Sequence, residues 1–127
     1  MTCFTFWPSA VFCLGFVENV TMRNVEIIGV QKSAVAVLSG YGATNPYCGE
    51  PKRMPTHVQN ITFMNVISRG ALNASLMLVG QPDAPTLDIT LANVTFEQSP
   101  FKYYCGGSVS GAAVDVSPKL PSTCGLS

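Results

Sequence analysis

The chain has 127 residues, of which 47% are hydrophobic and only 11% are charged. This is the length of one domain, and because ordinary globular domains are about 25% charged, the composition indicates extensive packing. Seven basic residues balance seven acidic ones without forming a basic patch, so we expect no nucleic-acid partner. No apolar run approaches the roughly 18 residues of a membrane helix, so we expect no membrane partner either.

Residues 1–15 form an apolar N-terminal segment of atypical sequence. The first seventeen residues carry no charge, as in the apolar region of a signal peptide, but the basic start of such a peptide is absent and Pro8 interrupts the run. The alternative is an apolar core segment at the cut edge of a larger protein.

Three segments share the frame [Asn/Asp]-[Val/Ile]-Thr-apolar-x-Asn-Val, namely residues 19–25, 60–66 and 88–94. Their starts are 41 and 28 residues apart. Each alternates with a period of two, which predicts a half-buried strand. By this alternation the apolar residues that flank Thr21, Thr62 and Thr90 share one face, and the three threonines share the other.

A second strand is predicted at residues 35–38 and again at 76–79, each starting sixteen residues after its frame. Residues 41–55 are interpreted as a protruding loop. Repeats of this length indicate a solenoid or a propeller, and the lack of tight hairpin signals favours strands stacked in parallel. We therefore predict an all-β, right-handed parallel β-helix of about four coils over residues 16–104, followed by a loop-rich C-terminal tail at 105–127.

The frame places Asn24, Asn65 and Asn93 at the same position of successive coils. Strict alternation turns this position inward, where stacked amides could form a buried ladder of hydrogen bonds. The alternative is that the three asparagines only form turns.

Five cysteines and one histidine, His57, show no metal-binding spacing, so we expect neither a metal nor a cofactor. Cys105 and Cys124 lie in the tail, where a disulfide could stabilise a segment with little core of its own. The alternative is two free, packed thiols. The pairing of Cys3, Cys13 and Cys48 stays open.

Residues 16–25 and 57–66 resemble the rungs of polygalacturonases, the family 28 glycoside hydrolases. Residues 45–48, Asn-Pro-Tyr-Cys, are similar to that family's Asn-Tyr-Cys segment. The tail from Cys105 to Cys124 resembles its closing Cys-x-x-x-x-Gly…Pro-x-Cys pattern, which implies that these two cysteines pair. The resemblance covers residues 15–127 and implies a right-handed parallel β-helix.

The resemblance also implies inverting hydrolysis of α-1,4-galacturonosyl bonds in pectin. That reaction needs a carboxylic acid and a carboxylate roughly 6.5–9.5 Å apart. The family's Asn-Thr-Asp, Asp-Asp, Gly-His-Gly and Arg-x-Lys-Thr-Trp motifs are absent from this chain. We therefore expect the C-terminal part of such a hydrolase, inactive alone, with Asp83, Asp88 and Asp115 serving as turn or cap residues.

A substrate-binding tyrosine is implied at Tyr47, with Tyr41 as the alternative.

The expected partner is pectic polysaccharide (galacturonan), and the expected location is the extracellular cell wall. The chain would be monomeric once the missing coils are supplied. The competing hypothesis is a non-catalytic β-solenoid for carbohydrate binding or for structure. A calcium-dependent lyase is disfavoured because no cluster of aspartates lies on one strand face.

Four Asn-x-Ser/Thr sequons occur, at Asn19, Asn60, Asn73 and Asn93. A glycan must lie on the surface. In a secreted protein we therefore expect glycosylation at Asn19, Asn60 or Asn73, and none at the inward position of Asn93.

Overall fold

A computed structural model describes residues 2–6, 10–14, 16–39, 57–71, 73–80, 85–97 and 103–127. This part of the chain is all β, apart from a short 3₁₀ helix at Ser122–Cys124. The strands are β1 (Thr2–Phe6), β2 (Ala10–Leu14), β3 (Phe16–Ile28), β4 (Ser33–Leu38), β5 (His57–Arg69), β6 (Ala74–Gly80), β7 (Thr86–Glu97), β8 (Tyr103–Gly107) and β9 (Val109–Ser117).

The strands from β3 onward form two parallel sheets, and the chain passes from one sheet to the other after each strand. One sheet has the order β3-β5-β7-β9 and the other β4-β6-β8. The predicted strands at residues 35–38 and 76–79 are confirmed within β4 and β6, whereas β8 was not predicted. Strands β1 and β2 form a separate antiparallel hairpin.

The sequence frames lie directly over one another in the larger sheet. Thr21 of β3 is the register partner of Thr62 in β5, which is in turn the partner of Thr90 in β7. The strand register therefore repeats the 41- and 28-residue spacing of the sequence, as stacked equivalent strands require.

The hydrophobic core lies between the two sheets. Ile61, Phe63, Ile89 and Leu91 are buried, as the alternation predicts, and they pack with residues such as Leu76 of the smaller sheet. Burial of these branched and aromatic side chains supplies the main driving force for stacking the strands.

The C-terminal segment extends and closes the larger sheet. Residues 105–127 were predicted to be loop-rich, but β9 lies within them and pairs with β7. The backbone of Ser127 then bonds with Gly111 and Ala113 of β9. Cys105 and Cys124, which the family resemblance pairs, form a disulfide with Cα atoms 4.7 Å apart, so the tail is covalently attached to β8.

Tyr103 of β8 also holds this segment. Its hydroxyl donates a hydrogen bond of 2.9 Å to the Pro118 carbonyl, and its ring meets the edge of Phe96 with centroids 5.9 Å apart. Burial raises the pKa of the Tyr103 phenol, because a phenolate loses its hydration here.

Gly80 and Gly107 are register partners where β6 and β8 end. A Cβ on Gly107 would overlap the Gly80 carbonyl, and Gly107 also has a positive φ of 70°. Glycine is therefore required for the close approach of these two strands.

Among the described residues, no helix is long and apolar enough to span a membrane.

We predict that Leu91→Ala lowers the free energy of unfolding by about 2–5 kcal/mol, because it leaves a cavity at a fully buried site. Leu87→Ala on the same strand is the control, since Leu87 is 37% exposed and should lose about 0.5 kcal/mol or less. Urea unfolding followed by circular dichroism measures both. Equal losses would contradict the assignment of the two faces of β7.

A second prediction concerns alkaline stability. Because the folded state raises the pKa of Tyr103, its contribution to stability is complete below the unfolded pKa of about 10 and is lost as the pH rises through the folded value. Between about pH 9 and 11, the wild type should therefore lose stability more steeply than Tyr103→Phe. Denaturant titrations at each pH give the free energy of unfolding of both proteins. If the two free energies fall in parallel as the pH rises, the ionisation of Tyr103 is not linked to folding.

Candidate functional site

The outer face of the larger sheet is organised by bends at asparagine and aspartate. In β3 the bends are at Asn19 and Asn24, with φ of 59° and 56°. The same five-residue spacing recurs in β5 and β7. Asn and Asp tolerate this left-handed conformation better than other non-glycine residues, which explains the residue type at each frame position. The equivalent residues of the later strands are Asn60, Asn65, Asp88, Asn93 and Asp115.

One row of side-chain amides crosses three strands. Asn65 Nδ2 donates to Asn24 Oδ1 over 3.0 Å, and Asn93 Nδ2 donates to Asn65 Oδ1 over 3.0 Å. The predicted asparagine ladder therefore exists. Asp115 has the same left-handed bend in β9, directly before Val116, which is the register partner of Val94.

A second row runs parallel to the first. Asn60 Nδ2 donates to Asn19 Oδ1 over 2.7 Å, and Asp88 follows in β7, where its backbone N–H donates to Ser110 Oγ over 3.4 Å. Asp88 and Asp115 were predicted to be turn or cap residues. Both adopt the positive φ of a bend.

The predicted inward position of the ladder is wrong. Asn24, Asn65 and Asn93 are all exposed, and the valine that follows Asn65 and Asn93 is buried instead. A residue with positive φ interrupts the alternation, so that two successive residues, such as Met64 and Asn65, both lie outside. The reason for excluding a glycan at Asn93 is therefore also wrong, because Asn93 is as exposed as Asn19, Asn60 and Asn73.

A row of charges lies at the C-terminal end of the same strands. Arg69 of β5 pairs with Glu26 of β3, and its Nε donates to Glu97 Oε2 of β7 over 3.1 Å. The hydrogen bond with Glu97, followed by the negative charges of Glu26 and Glu97, raises the pKa of the Arg69 guanidinium. The cation therefore bridges three successive strands.

This charge row was not predicted, although the spacing of the sequence contains a signal for it. Arg69 lies nine residues after Asn60, and Glu97 lies nine residues after Asp88. The two side chains therefore occupy the same position of successive frames, where opposite charges attract across neighbouring strands.

The described carboxylates occupy three kinds of position. Glu26 and Glu97 are bound to the same arginine, Asp88 and Asp115 are at bends, and Glu18 is exposed near the start of β3. A cleft of about 450 Å³ at the C-terminal end contains one acidic side chain, that of Asp115. In the described ranges no group of three or more His, Cys, Asp or Glu residues could hold a metal ion.

The tyrosines predicted to bind substrate, Tyr47 and Tyr41, lie outside the described residues, and so does Asp83. In the sequence, residues 40–56 fall between Ser39, which follows β4, and His57, the first residue of β5. Arg69 is the last residue of β5, so the charge row lies at the end of this strand away from His57.

Comparison of the chain with models of protein families, with characterised proteins and with solved structures finds no match.

The exposed positions of the larger sheet form columns that repeat once per strand. Besides the two amide rows, Thr21, Thr62 and Thr90 form a column, in which Thr21 is exposed and Thr62 and Thr90 are half-buried. Neighbouring strands lie about 4.8 Å apart, so this face offers similar hydrogen-bonding groups at a regular interval. Such a surface suits an extended ligand that is itself periodic.

The ladder yields a prediction for Asn65, which bonds on both sides. Asn65→Ala should lower the free energy of unfolding by about 2–4 kcal/mol, through two lost hydrogen bonds and a strained left-handed alanine. Asn65→Gly should cost about 1 kcal/mol less, because glycine adopts this φ without strain. Asn73→Ala, at an exposed asparagine outside the rows, is the control and should change stability by about 0.5 kcal/mol or less. Equal effects of the alanine and glycine variants at residue 65, measured by urea unfolding, would contradict the role of the bend.

Proposed function

We propose that this chain is a polygalacturonase-type, right-handed parallel β-helix that binds pectic galacturonan on the outer face of its larger sheet. The observation that carries the proposal is the register of the repeated frames, Thr21 on Thr62 on Thr90. Strand pairs β3–β4, β5–β6 and β7–β8, with β9 as the start of a fourth, would be its coils. The polygalacturonase-like rungs of the sequence are thus stacked in the manner that a β-helix requires.

The chemistry of the face supports a polysaccharide ligand. Sugars are recognised by hydroxyls, amides and planar cations, and a galacturonan adds one carboxylate per sugar. The threonine column supplies hydroxyls, and exposed Arg23 lies two residues from Thr21 on the same face of β3. An arginine binds a carboxylate through two hydrogen bonds. Tyr47 and Tyr41, which the resemblance implies as substrate-binding residues, precede His57 in the chain.

This chain would bind the polymer without cleaving it. Inverting hydrolysis needs one carboxyl group to protonate the leaving oxygen and a second to activate water. The carboxylates of Glu26 and Glu97 are held by Arg69 instead. Hydrolysis of α-1,4-galacturonosyl bonds would therefore require acids from residues other than those described.

A secreted location in the cell wall fits this proposal. The disulfide between Cys105 and Cys124 is typical of proteins that fold in an oxidising compartment. The sequons at Asn19, Asn60 and Asn73 would then be available to glycosylation.

The second candidate is a structural β-solenoid without a carbohydrate ligand. It is favoured by the charge row, in which the cation Arg69 is already neutralised by two carboxylates. The two candidates differ in whether the purified chain has affinity for polygalacturonate.

The test is a binding measurement with polygalacturonic acid, using fully methyl-esterified pectin as the uncharged comparison. We predict preferential binding of the acid and no release of reducing ends. Arg23→Gln should weaken binding about tenfold, through the loss of one charge-assisted hydrogen bond. Lys119→Gln, at an exposed cation near the C-terminal end, is the matched control and should leave binding unchanged.

Three outcomes would refute parts of the proposal. Equal affinity for both polymers would exclude recognition of the carboxylate, and absence of binding would favour the structural candidate. Reducing-end release that is lost in Glu26→Gln or Glu97→Gln would establish an acid pair in this chain.

A further inference from the structure

The core-facing side of β3 is open, unlike that of the later strands. Val20 of β3 is 44% exposed, whereas the residues at the same frame position of β5 and β7, Ile61 and Ile89, are 5% and 0% exposed. Met22 of β3 is 42% exposed, whereas its register partner Phe63 is 8% exposed. Apolar side chains that the frame directs to the core therefore meet solvent in the first strand of the stack.

An apolar groove of about 290 Å³ lies between β3 and β4. All of its lining residues are apolar, and they include Val17, Val20 and Phe63. In the order of the described strands, β3 is the edge of the larger sheet and β4 is the edge of the smaller one. An apolar surface beside an open strand edge is a site for pairing with another strand.

The other edge of the larger sheet is closed by the chain itself. Leu126 forms a parallel bridge with Gly111 of β9, and the backbone of Ser127 bonds with both Gly111 and Ala113. The disulfide at Cys124 attaches this segment to β8. Since β9 is closed in this way, the open β3 edge can pair with the equally open β3 edge of a second copy.

The order of inward and outward residues in β3 is symmetric about Thr21. The register with β5 turns four residues toward the core, namely Val17, Val20, Met22 and Val25. It turns five residues outward, namely Glu18, Asn19, Thr21, Arg23 and Asn24. Starting from Thr21, the order in either direction is core, outer, outer, core, because each bend places two successive residues outside.

This symmetry fits an antiparallel pair of two β3 strands. In such a pair, directly opposed residues share a face. With a two-fold axis at Thr21, core residues oppose core residues and outer residues oppose outer residues at every position from 17 to 25. A shift of the strands by one residue would oppose core residues to outer residues. The pattern therefore selects one register.

On the core side, this register brings together apolar residues that are now exposed. Val17 of one copy opposes Val25 of the other, and Val20 opposes Met22. Val17, at 45% exposed, is as open as its two neighbours on this side. Removing these side chains from water is the main favourable term in such an association.

On the outer side, the same register brings together complementary polar groups. Glu18 of one copy lies beside Arg23 and Asn24 of the other, and opposite charges on neighbouring strands attract. Asn24 uses its Oδ1 to accept from Asn65 in the amide row. Its Nδ2 can therefore donate to the carboxylate of Glu18 in the other copy. Each of these contacts occurs twice, since a two-fold interface repeats every pair.

We propose that two copies of this chain associate edge to edge, with their β3 strands antiparallel about a two-fold axis at Thr21. The association joins the two larger sheets into one and buries Val20 and Met22 between the copies. It is closed, because both β3 edges are used and no third copy can add to them. The inference does not depend on the carbohydrate proposal, since it concerns a strand edge and is tested without polymer.

Disulfide crosslinking tests the position of the axis, because a residue on a two-fold axis meets its own copy. Thr21→Cys should link two chains under mild oxidation, since directly opposed residues have Cα atoms about 4.5–5.5 Å apart, within the range of a disulfide. Peptide mass spectrometry then identifies the bond between the two copies of residue 21 and distinguishes it from exchange with the native cysteines.

Met64→Cys is the matched control for the crosslink. Met64 is 40% exposed on the outer face of β5, the neighbour of β3. In the proposed pair it lies at least three strand spacings, or about 14 Å, from its own copy, which is too far for a disulfide. This variant should therefore stay unlinked although its thiol is exposed.

Sedimentation equilibrium measures the association itself. The mass of the wild-type chain should rise reversibly with concentration from 13.5 kDa to that of two chains. Glu18→Lys should raise the dissociation constant about tenfold, because each pair then holds two contacts between like charges. Adding Arg23→Glu to this variant should restore the wild-type value, since the exchange rebuilds both opposite-charge contacts in reverse.

Four results would overturn the proposal. A wild-type mass that stays at 13.5 kDa would show that the β3 edges do not associate, and a mass that grows beyond two chains would show that the association is not closed. Equal crosslinking of Thr21→Cys and Met64→Cys would place the contact away from the axis. A double charge variant that remains as weak as Glu18→Lys would show that Glu18 and Arg23 do not meet.

Discussion

The parallel register between equivalent strands is the constraint on which the rest of the structure depends. When β5 lies over β3 with an offset of 41 residues, every threonine, valine and asparagine of one frame meets its counterpart in the next. Burial of the apolar columns stabilises this offset, and a slip by one residue would exchange the core face for the solvent face. The asparagine rows reinforce the same register, because their amides bond only when the bends coincide.

The sequence frames were sufficient to predict β3 to β7, the parallel stacking of the frame strands, and the buried apolar residues of β5 and β7. Residues such as Ile61 and Leu91 could be assigned to the core because a short stretch of regular alternation surrounds them. The side on which Asn65 lies could not be obtained in the same way. Side chains alternate strictly between the two faces of a strand only when every residue is extended, and the left-handed bends at Asn60 and Asn65 each interrupt this alternation.

The charge row shows a different limit of the sequence pattern. Arg69 and Glu97 occupy equivalent positions, but Glu26 lies two residues earlier in its frame than they do, and only a long side chain spans that offset. The strand β9 escaped prediction because Gly111, Ala112 and Ala113 replace the larger residues of the earlier frames. A larger residue at Gly111 is excluded, since a Cβ there would overlap the backbone carbonyl of Ile89 in β7.

The hydrogen bonds of the amide rows all run in the same direction across the strands, and an aspartate interrupts each row. In every bond of the rows, the asparagine of the later strand donates and that of the earlier strand accepts. A carboxylate has no N–H to donate. Asp88 therefore cannot donate to Asn60 of the preceding strand, and Asp115 cannot donate to Asn93. A duplicated β5–β6 unit would bring its own donor and acceptor and could be inserted among its neighbours without breaking either row. An asparagine in a strand placed after Asp115 could donate to its carboxylate, but the bond from Asp115 back to Asn93 would still be missing. Each aspartate thus interrupts its row on the side of the earlier strand, and new asparagine units continue a row only when they are inserted before that aspartate.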